Sequence, residues 1–305
     1  MKRSVKEYLV IGLKGMAMGA ADVVPGVSGG TIAFISGIYE ELLNSISAID
    51  FKLLETLKSN GIKAAWKQVN GPFLGSLFVG IFISIVSLAK VIKWLLENEP
   101  ILLWSFFFGL VLASIIYIAK QISKWSFISF LVLFLGALLA YYITTLNPLV
   151  ENSSTLFFFL SGAIAICAMI LPGISGAFIL VLLGAYKPIL AAVNNRDFVV
   201  IAAVGLGAIV GLLTFSRALK WLFAHYKNIT LAALTGFIIG SLNKIWPWKE
   251  TIWRMNSHQV EVPFKQESIS PFSFDGNPQF LYTIILAIVG FSLILLLEKL
   301  AVKKE

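Results

Sequence analysis

Two long apolar stretches of the chain are each interrupted by a short motif of proline, glycine and serine. Residues 8–43 and 155–192 are mostly apolar, and the interruptions read Pro-Gly-Val-Ser-Gly-Gly at 25–30 and Pro-Gly-Ile-Ser-Gly-Ala at 172–177. Proline lacks an N–H group and glycine adopts unusual dihedral angles, so one helix ends and another begins at each motif. Each piece, of about 16 residues, rises only about 24 Å, short of a hydrocarbon core of about 30 Å. The pattern predicts either a broken crossing or a re-entrant hairpin.

Six further apolar segments are predicted to cross a membrane, and two segments differ from them. The crossings are 73–92, 101–119, 126–146, 198–216, 229–243 and 280–298. Residues 44–72 mix lysines and acids with apolar side chains, which is typical either of an amphipathic helix at a membrane surface or of an ordinary cytoplasmic loop with helical turns. Residues 244–279 contain four prolines and have the composition of a soluble loop.

The pattern occurs twice. A shift of 147 residues aligns Pro25 with Pro172 and Ser28 with Ser175, and a shift of 127 aligns later pairs such as Gly80 with Gly207. The difference of 20 residues corresponds to the amphipathic segment. We therefore predict one membrane domain of two repeats, 1–150 and 151–305, each with a hairpin followed by three crossings.

Composition assigns the class. Of the 305 residues, 58% are apolar and 13% are charged, against about 25% charged in a soluble domain. This predicts an all-α polytopic membrane protein. The net charge of +8 comes from basic residues spread over short loops, which indicates membrane orientation and not binding of nucleic acid. The single cysteine, Cys167, cannot form an intramolecular disulfide.

The distribution of lysine and arginine predicts the topology. If both broken stretches are hairpins, fifteen of these residues lie on the side of the N-terminus and eight on the other; if both cross, the numbers are eleven and twelve. The hairpin arrangement obeys the positive-inside rule. It also makes the two repeats inverted and places both termini in the cytoplasm.

Inverted repeats with interrupted helices are typical of transporters whose substrate site lies where the repeats meet. After each Pro-Gly a helix begins, and its N–H groups and dipole attract an anion. This predicts an anion site, with phosphate, sulfate or carboxylate as the bound group. The alternative is a plain helix-breaking turn. The helix breaks are Pro25 and Pro172, and the predicted binding residues of the motifs are Gly26, Ser28, Gly29, Gly30, Gly173, Ser175 and Gly176.

Three charged residues are further candidates. Asp22 lies at membrane depth, where an ionisable side chain costs at least about 2.5 kcal/mol; it either caps the following helix or carries a proton. Lys14 is either its partner, a phosphate ligand or a residue that reaches the membrane surface. Arg217 can bind phosphate with its planar guanidinium, or it anchors a helix end. The two histidines, His225 and His258, are isolated, so neither a metal site nor a catalytic site is predicted, and no cofactor is expected.

The motifs resemble those of a known family. The first runs from Lys14 to Thr31 as KGMAMGAADVVPGVSGGT and continues as Gly37-Ile38-Tyr39-Glu40; the second is Leu171-Pro172-Gly173-Ile174-Ser175-Gly176, followed by Gly184-Ala185-Tyr186. Both closely resemble motifs of the bacterial polyprenyl-phosphate transporters, formerly a family of unknown function.

The resemblance implies a flippase that returns undecaprenyl phosphate from the outer to the inner leaflet of the bacterial cytoplasmic membrane, for reuse in envelope synthesis. The expected partners are then the polyprenyl phosphate lipid and the bilayer. A transporter or channel for a small soluble anion would use the same helix ends and stays open as an alternative. An enzyme acting on a lipid phosphate needs a nucleophile, a base or a metal cluster, and no arrangement of residues predicts one.

Overall fold

The computed structural model describes residues 3–24, 27–149, 152, 154–255 and 261–302, so Pro25 and Gly26 lie outside the described residues. The first half contains helices α1 (Val5–Val23), α2 (Gly29–Ile35), α3 (Tyr39–Ser47), α4 (Phe51–Gln68), α5 (Gly71–Asn98), α6 (Pro100–Lys120) and α7 (Phe127–Thr145). The second half contains α8 (Thr155–Ile170), α9 (Gly176–Leu182), α10 (Tyr186–Asn195), α11 (Phe198–Ser241), strands β1 (Lys249–Met255) and β2 (Glu261–Ser268), and α12 (Phe280–Val302). Short 3-10 helices occupy Leu242–Ile245 and Pro271–Ser273.

Apolar helices dominate the described part of the chain, as predicted. Four of them, α5, α6, α7 and α11, are long and apolar enough to cross a membrane, while α8 and the Phe280–Leu296 part of α12 are shorter apolar helices. The prediction of an all-α polytopic membrane protein is thereby confirmed.

Helix α11 joins two segments that the sequence predicts as separate crossings. Its 44 residues would rise about 66 Å if straight, twice the thickness of a hydrocarbon core. Tyr226 interrupts it with non-helical angles (φ −135°, ψ 44°). The chain therefore passes from one crossing to the next at Tyr226 without a loop.

Each hairpin contains two breaks. Besides the break at the motif, Gly37 (φ 73°) separates α2 from α3, and Gly184 (φ 72°) separates α9 from α10. This left-handed conformation favours glycine at the end of a helix. In the second hairpin, the break at Gly184 bends the chain by 103° between α9 and α10. The sequence predicts only two helical pieces per hairpin, whereas the structure has three.

The first hairpin returns to the end of α1 from which it started. The Glu41 carboxylate, in the first turn of α3, accepts hydrogen bonds from the Arg3 guanidinium at 2.5 and 2.7 Å. It also accepts one from Asn70 Nδ2 at 2.7 Å, just before α5. The starts of α1, α3 and α5 therefore lie together.

Glycine contacts give the directions of the packed helices. Gly15 of α1 faces Leu77 of α5, and Gly19 faces Ile81. Because both residue numbers rise together, α1 and α5 are parallel. A first stretch that crossed the membrane would make these helices antiparallel, so the register supports a hairpin.

The second half repeats this packing. Gly162 of α8 faces Val204 of α11, the positions that the shifts of 147 and 127 pair with Gly15 and Leu77. Two further equivalent contacts join helices of different halves. Gly109 of α6 in the first half faces Ala287 of α12 in the second, and Gly236 of α11 in the second half faces Leu133 of α7 in the first. The halves thus form matching helix pairs, and their inverted orientation across a membrane stays a prediction.

The polar insert forms an antiparallel hairpin of β1 and β2. The register shifts between Ile252 and Trp253 where Pro263 pairs, as expected because proline cannot donate to a strand ladder. Two indole groups close the insert: Trp246 Nε1 donates to the Ile269 carbonyl at 2.8 Å and Trp248 Nε1 to the Pro278 carbonyl at 3.0 Å.

The amphipathic segment contains helix α4, bent at Gly61 (φ 78°). Phe51 and Ile62 are largely exposed, while Trp66 contacts Gly71 at the start of α5. The helical form agrees with an interfacial helix, whose location at a membrane surface stays a prediction.

Candidate functional site at the hairpin tips

The tip of the first hairpin is closed by oxygen atoms of its own segment. Ser28 is the N-cap of α2, has no exposed surface, and its Oγ accepts a hydrogen bond from the Gly30 N–H at 3.0 Å. Asp22 Oδ1 accepts from the Gly29 N–H at 2.7 Å. The first N–H groups of a helix lack partners within that helix, and here Ser28 and Asp22 supply them.

The two tips meet through hydrogen bonds between the repeats. Ser28 Oγ lies 2.8 Å from the Met169 carbonyl and 3.1 Å from the Leu171 carbonyl, and its one hydroxyl hydrogen is shared between these two acceptors. The Tyr39 hydroxyl donates to the Ile170 carbonyl at 3.2 Å. The last carbonyls of a helix also lack partners, so the first hairpin caps the end of α8.

One further hydrogen bond has its donor in the second hairpin and its acceptor in the first. The Gly173 N–H donates to Thr31 Oγ1 at 3.1 Å, and Thr31 is fully buried. Together with Ser28 and Tyr39, this threonine connects α2 and α3 to the residues around the second proline, Pro172. The predicted meeting of the two motifs is therefore present in the structure.

Small residues permit this close approach. A Cβ atom on Gly30 would lie 2.2 Å from the Ile170 carbonyl oxygen, a distance that no real contact allows. A Cβ on Gly29 would lie 2.5 Å from Asp22 Oδ2. Glycine at these two positions lets the tip approach both the neighbouring hairpin and the carboxylate.

The second tip is built differently. Ser175 is the N-cap of α9, and its Oγ accepts from the Phe178 N–H at 3.4 Å. Gly173 has φ 95°, and a Cβ there would lie 2.9 Å from the Ile238 Cα. A Cβ on Gly176 would lie 2.6 Å from the Ala165 carbonyl oxygen. This tip is therefore packed on α8 and α11, and the shift of 147 puts Met169 where the first tip has Asp22.

The predicted cations lie away from the tips. Lys14 Nζ donates to the Ser36 carbonyl at the end of α2, at 2.5 Å. Since α2 spans seven residues, this end lies about 10 Å from its start. Arg217 is exposed and donates to the Ile49 carbonyl, just after α3, at 2.6 Å. Both side chains hydrogen-bond carbonyls at helix ends of the first hairpin, as basic residues commonly do.

Sequence reasoning named most of the tip and missed three contributors. Thr31 and Tyr39 were part of the quoted motif, but nothing in their spacing indicated that they reach the second hairpin. The carbonyl groups of 169–171 carry no signal in the residue types. Across the described residues, no group of three or more histidine, cysteine, aspartate and glutamate side chains has an arrangement that holds a metal ion.

Comparison with known proteins adds a consistent set of relatives. The sequence pattern of the VCA0040-like family, described as undecaprenyl phosphate translocase-like, matches residues 18–262. A polyprenyl-phosphate transporter of Vibrio cholerae is 49% identical over 99% of this chain and 100% of its own length. A polyprenyl-phosphate transporter of Staphylococcus aureus is 32% identical over 77% of this chain and 85% of its own. No solved structure matches the chain.

Proposed function

The chain belongs to the VCA0040-like family of undecaprenyl phosphate translocase-like proteins, and from this premise we propose that it returns a polyprenyl phosphate from the outer to the inner leaflet of the bacterial cytoplasmic membrane. The chain is a multi-pass membrane protein with transporters as relatives. In this proposal the phosphate head group binds between the two hairpin tips, and both termini are cytoplasmic.

The observation that carries the proposal is the contact between Ser28 and the carbonyls of Met169 and Leu171. Backbone that is not helical is tolerated at membrane depth only where protein buries it or where it lines a cavity. Here two such segments from different repeats face each other. Separation of these tips opens a polar space at the centre of the fold, and their closure seals it.

The head group needs such a space. A phosphate monoester carries about −1.5 to −2 charges at neutral pH, and an isolated buried charge costs tens of kcal/mol in the limiting case. In our proposal the hydroxyls of Ser28, Thr31 and Ser175 and the N–H groups of the tips replace its water. The prenyl chain stays in lipid, so only the head group enters the protein.

Asp22 has a specific part in this proposal. Its carboxylate accepts from the Gly29 N–H, a position at a helix N-terminus that a phosphate oxygen also favours. We assign Asp22 to hold this position in the protein without substrate and to leave it, or to take up a proton, when the phosphate enters. Proton coupling predicts that the transport rate depends on a pH gradient.

The test is transport in proteoliposomes that contain a fluorescent polyprenyl phosphate, with the outer-leaflet fraction read by chemical quenching. The double variant Ser28→Ala with Ser175→Ala is expected to slow transport at least about tenfold, because each lost hydrogen bond to a charged group contributes about 1.5–3 kcal/mol. Arg217→Ala, made separately, tests whether that guanidinium also contacts the phosphate on the cytoplasmic side.

Ser59→Ala is the matched control. Ser59 donates to the Glu55 carbonyl within α4 and is exposed, so its removal should leave transport unchanged. Wild-type transport in the double variant, with folded protein verified by gel filtration, would refute the tip assignment. Uptake of inorganic phosphate in the absence of lipid transport would favour the soluble-anion alternative.

A further inference from the structure

A second polar site lies beside the second hairpin. A cavity of about 210 Å³ is bounded by Thr144 and Thr145 at the end of α7, by Asn147 just after it, by Phe178 on the first turn of α9, and by Lys244. Phe178, which lines the cavity, comes three residues after Ser175, the N-cap residue of the second tip. Since a water molecule occupies about 30 Å³, the cavity has room for a hydrated anionic group.

Two lysines bring positive charge to this region. The Lys244 ammonium lies 4.5 Å from the centroid of the Phe178 ring, and the Lys249 ammonium lies 5.1 Å from the centroid of the Trp104 ring. Lys249 Nζ also donates to the Lys244 carbonyl. Both side chains are partly buried, so their heads do not simply extend into water as surface lysines do.

In the described part of the chain, no carboxylate balances these two charges. Among the residues that the structure describes, neither Lys244 nor Lys249 forms an ion pair with an aspartate or glutamate. Burial and, to a smaller extent, the neighbouring charge of Lys244 together lower the pKa of Lys249 to about 7. Buried cations without a partner are costly. An anion would supply the missing charge.

The remaining groups around the cavity suit an anion with several oxygen atoms. Thr144 and Thr145 carry hydroxyls and Asn147 carries an amide, whereas Phe178 and Leu182 form an apolar side. Thr144 Oγ1 is held by a hydrogen bond from Asn243 Nδ2 at 2.9 Å. The hydroxyls of Thr144 and Thr145 donate to carbonyls within α7, so the amides of Asn147 and Gln266 supply the neutral donors of the cavity, beside a cation and an apolar wall.

We propose that the outer lysine pocket, formed by Lys244, Thr144, Thr145, Asn147 and Phe178, with Lys249 beside Lys244, binds the phosphate of a phosphate monoester at the extracytoplasmic end of the second hairpin. This inference rests on the proposed function, in which that end faces the outer leaflet. The pocket receives the head group first, and the hairpin tips, which begin one helical turn away at Ser175, receive it next.

The test measures binding by calorimetry on the full-length protein in nanodiscs, with farnesyl phosphate and inorganic phosphate as probes. Lys244→Gln is expected to weaken farnesyl phosphate binding at least tenfold, and Lys244→Arg is expected to stay within about threefold of wild type. Lys187→Gln is the matched control, because Lys187 is exposed and lies on the same side in the predicted topology. Equal affinities for Lys244→Gln and Lys187→Gln would overturn the proposal even when both proteins are folded.

The two probes separate the sources of the phosphate. Binding of farnesyl phosphate that inorganic phosphate does not displace assigns the pocket to a lipid head group. If inorganic phosphate displaces farnesyl phosphate from the wild-type protein and Lys244→Gln binds neither probe, the pocket recognises the phosphate group from either source. Binding of inorganic phosphate alone would overturn the role in lipid capture.

Transport distinguishes this inference from the proposed function. In proteoliposomes, Lys244→Gln is expected to raise the KM for outer-leaflet polyprenyl phosphate at least fivefold, with a smaller change in maximal rate. A wild-type protein that transports no lipid contradicts the proposed function, while calorimetry with farnesyl phosphate still tests the pocket. Transport by Lys244→Gln with the KM of Lys187→Gln contradicts the pocket alone.

Discussion

The two hairpin tips share a sequence motif and differ in what they present to each other. The first tip contributes side chains, with Asp22 on the Gly29 N–H and Ser28 on the carbonyls of the opposite hairpin. The second contributes backbone, namely the carbonyls of 169–171 and the Gly173 N–H. The two halves therefore have matching helix packing and complementary tips.

The same division holds in the helices around the tips. Helix α1 with α5 and helix α8 with α11 pack through equivalent glycines, yet only the first hairpin has an acidic residue at its tip. The helix packing is therefore similar in the two halves, whereas the tips differ. Three predictions, in decreasing order of effect, test this comparison.

The largest effect is expected for Gly30→Ala. Its methyl group would lie 2.2 Å from the Ile170 carbonyl oxygen, so the tips must separate; overpacking of this kind costs about 1–3 kcal/mol. We expect loss of transport and a lower midpoint in thermal unfolding measured in detergent.

The shift of 147 pairs Gly30 with Ala177, which provides the matched control. Ala177→Gly removes a methyl group at the equivalent position and should leave transport within about twofold. If Gly30→Ala transports normally, close contact between the tips is unnecessary.

An intermediate effect is expected for Asp22→Asn. The neutral amide keeps the size of the side chain and loses the charged acceptor for the Gly29 N–H, a change of about 1.4 kcal/mol or more. We expect transport to fall about tenfold and to become insensitive to a pH gradient.

Met169→Leu alters the equivalent position of the second repeat and should retain both the rate and its dependence on pH. If the wild-type protein transports at the same rate with and without a pH gradient, Asp22 does not carry a proton and acts only as a helix cap.

The smallest expected effect is the difference in thermal stability between the single variants Ser28→Ala and Ser175→Ala. Ser28 satisfies carbonyls of the opposite hairpin, and leaving such buried groups without a partner costs about 1–3 kcal/mol. Ser175 caps only its own helix, which contributes about 1 kcal/mol. Thermal unfolding of the two single variants should therefore show a larger loss for Ser28→Ala; equal losses would mean that the contact between the repeats adds nothing to stability.

Local features of the sequence predicted much of the frame. Apolar runs indicated the membrane helices, and three motif residues, Ser28, Gly30 and Gly173, contact the opposite hairpin. These predictions succeed because hydropathy and the conformational limits of proline and glycine are properties of short segments. An interruption between 216 and 229 was predicted, but its position at Tyr226 was not, because neither proline nor glycine marks it.

The partners of the polar groups depended on the tertiary structure. Ser28 bonds to a carbonyl 141 residues away. Lys14 and Arg217 donate to carbonyls at helix ends away from the tips. Lys244 lies beside Phe178 instead of in a solvated loop. The sequence alone determined which segments enter the membrane and where their helices break. Which polar atoms meet was decided only by packing, because such contacts join residues far apart in the chain and leave no periodicity in it.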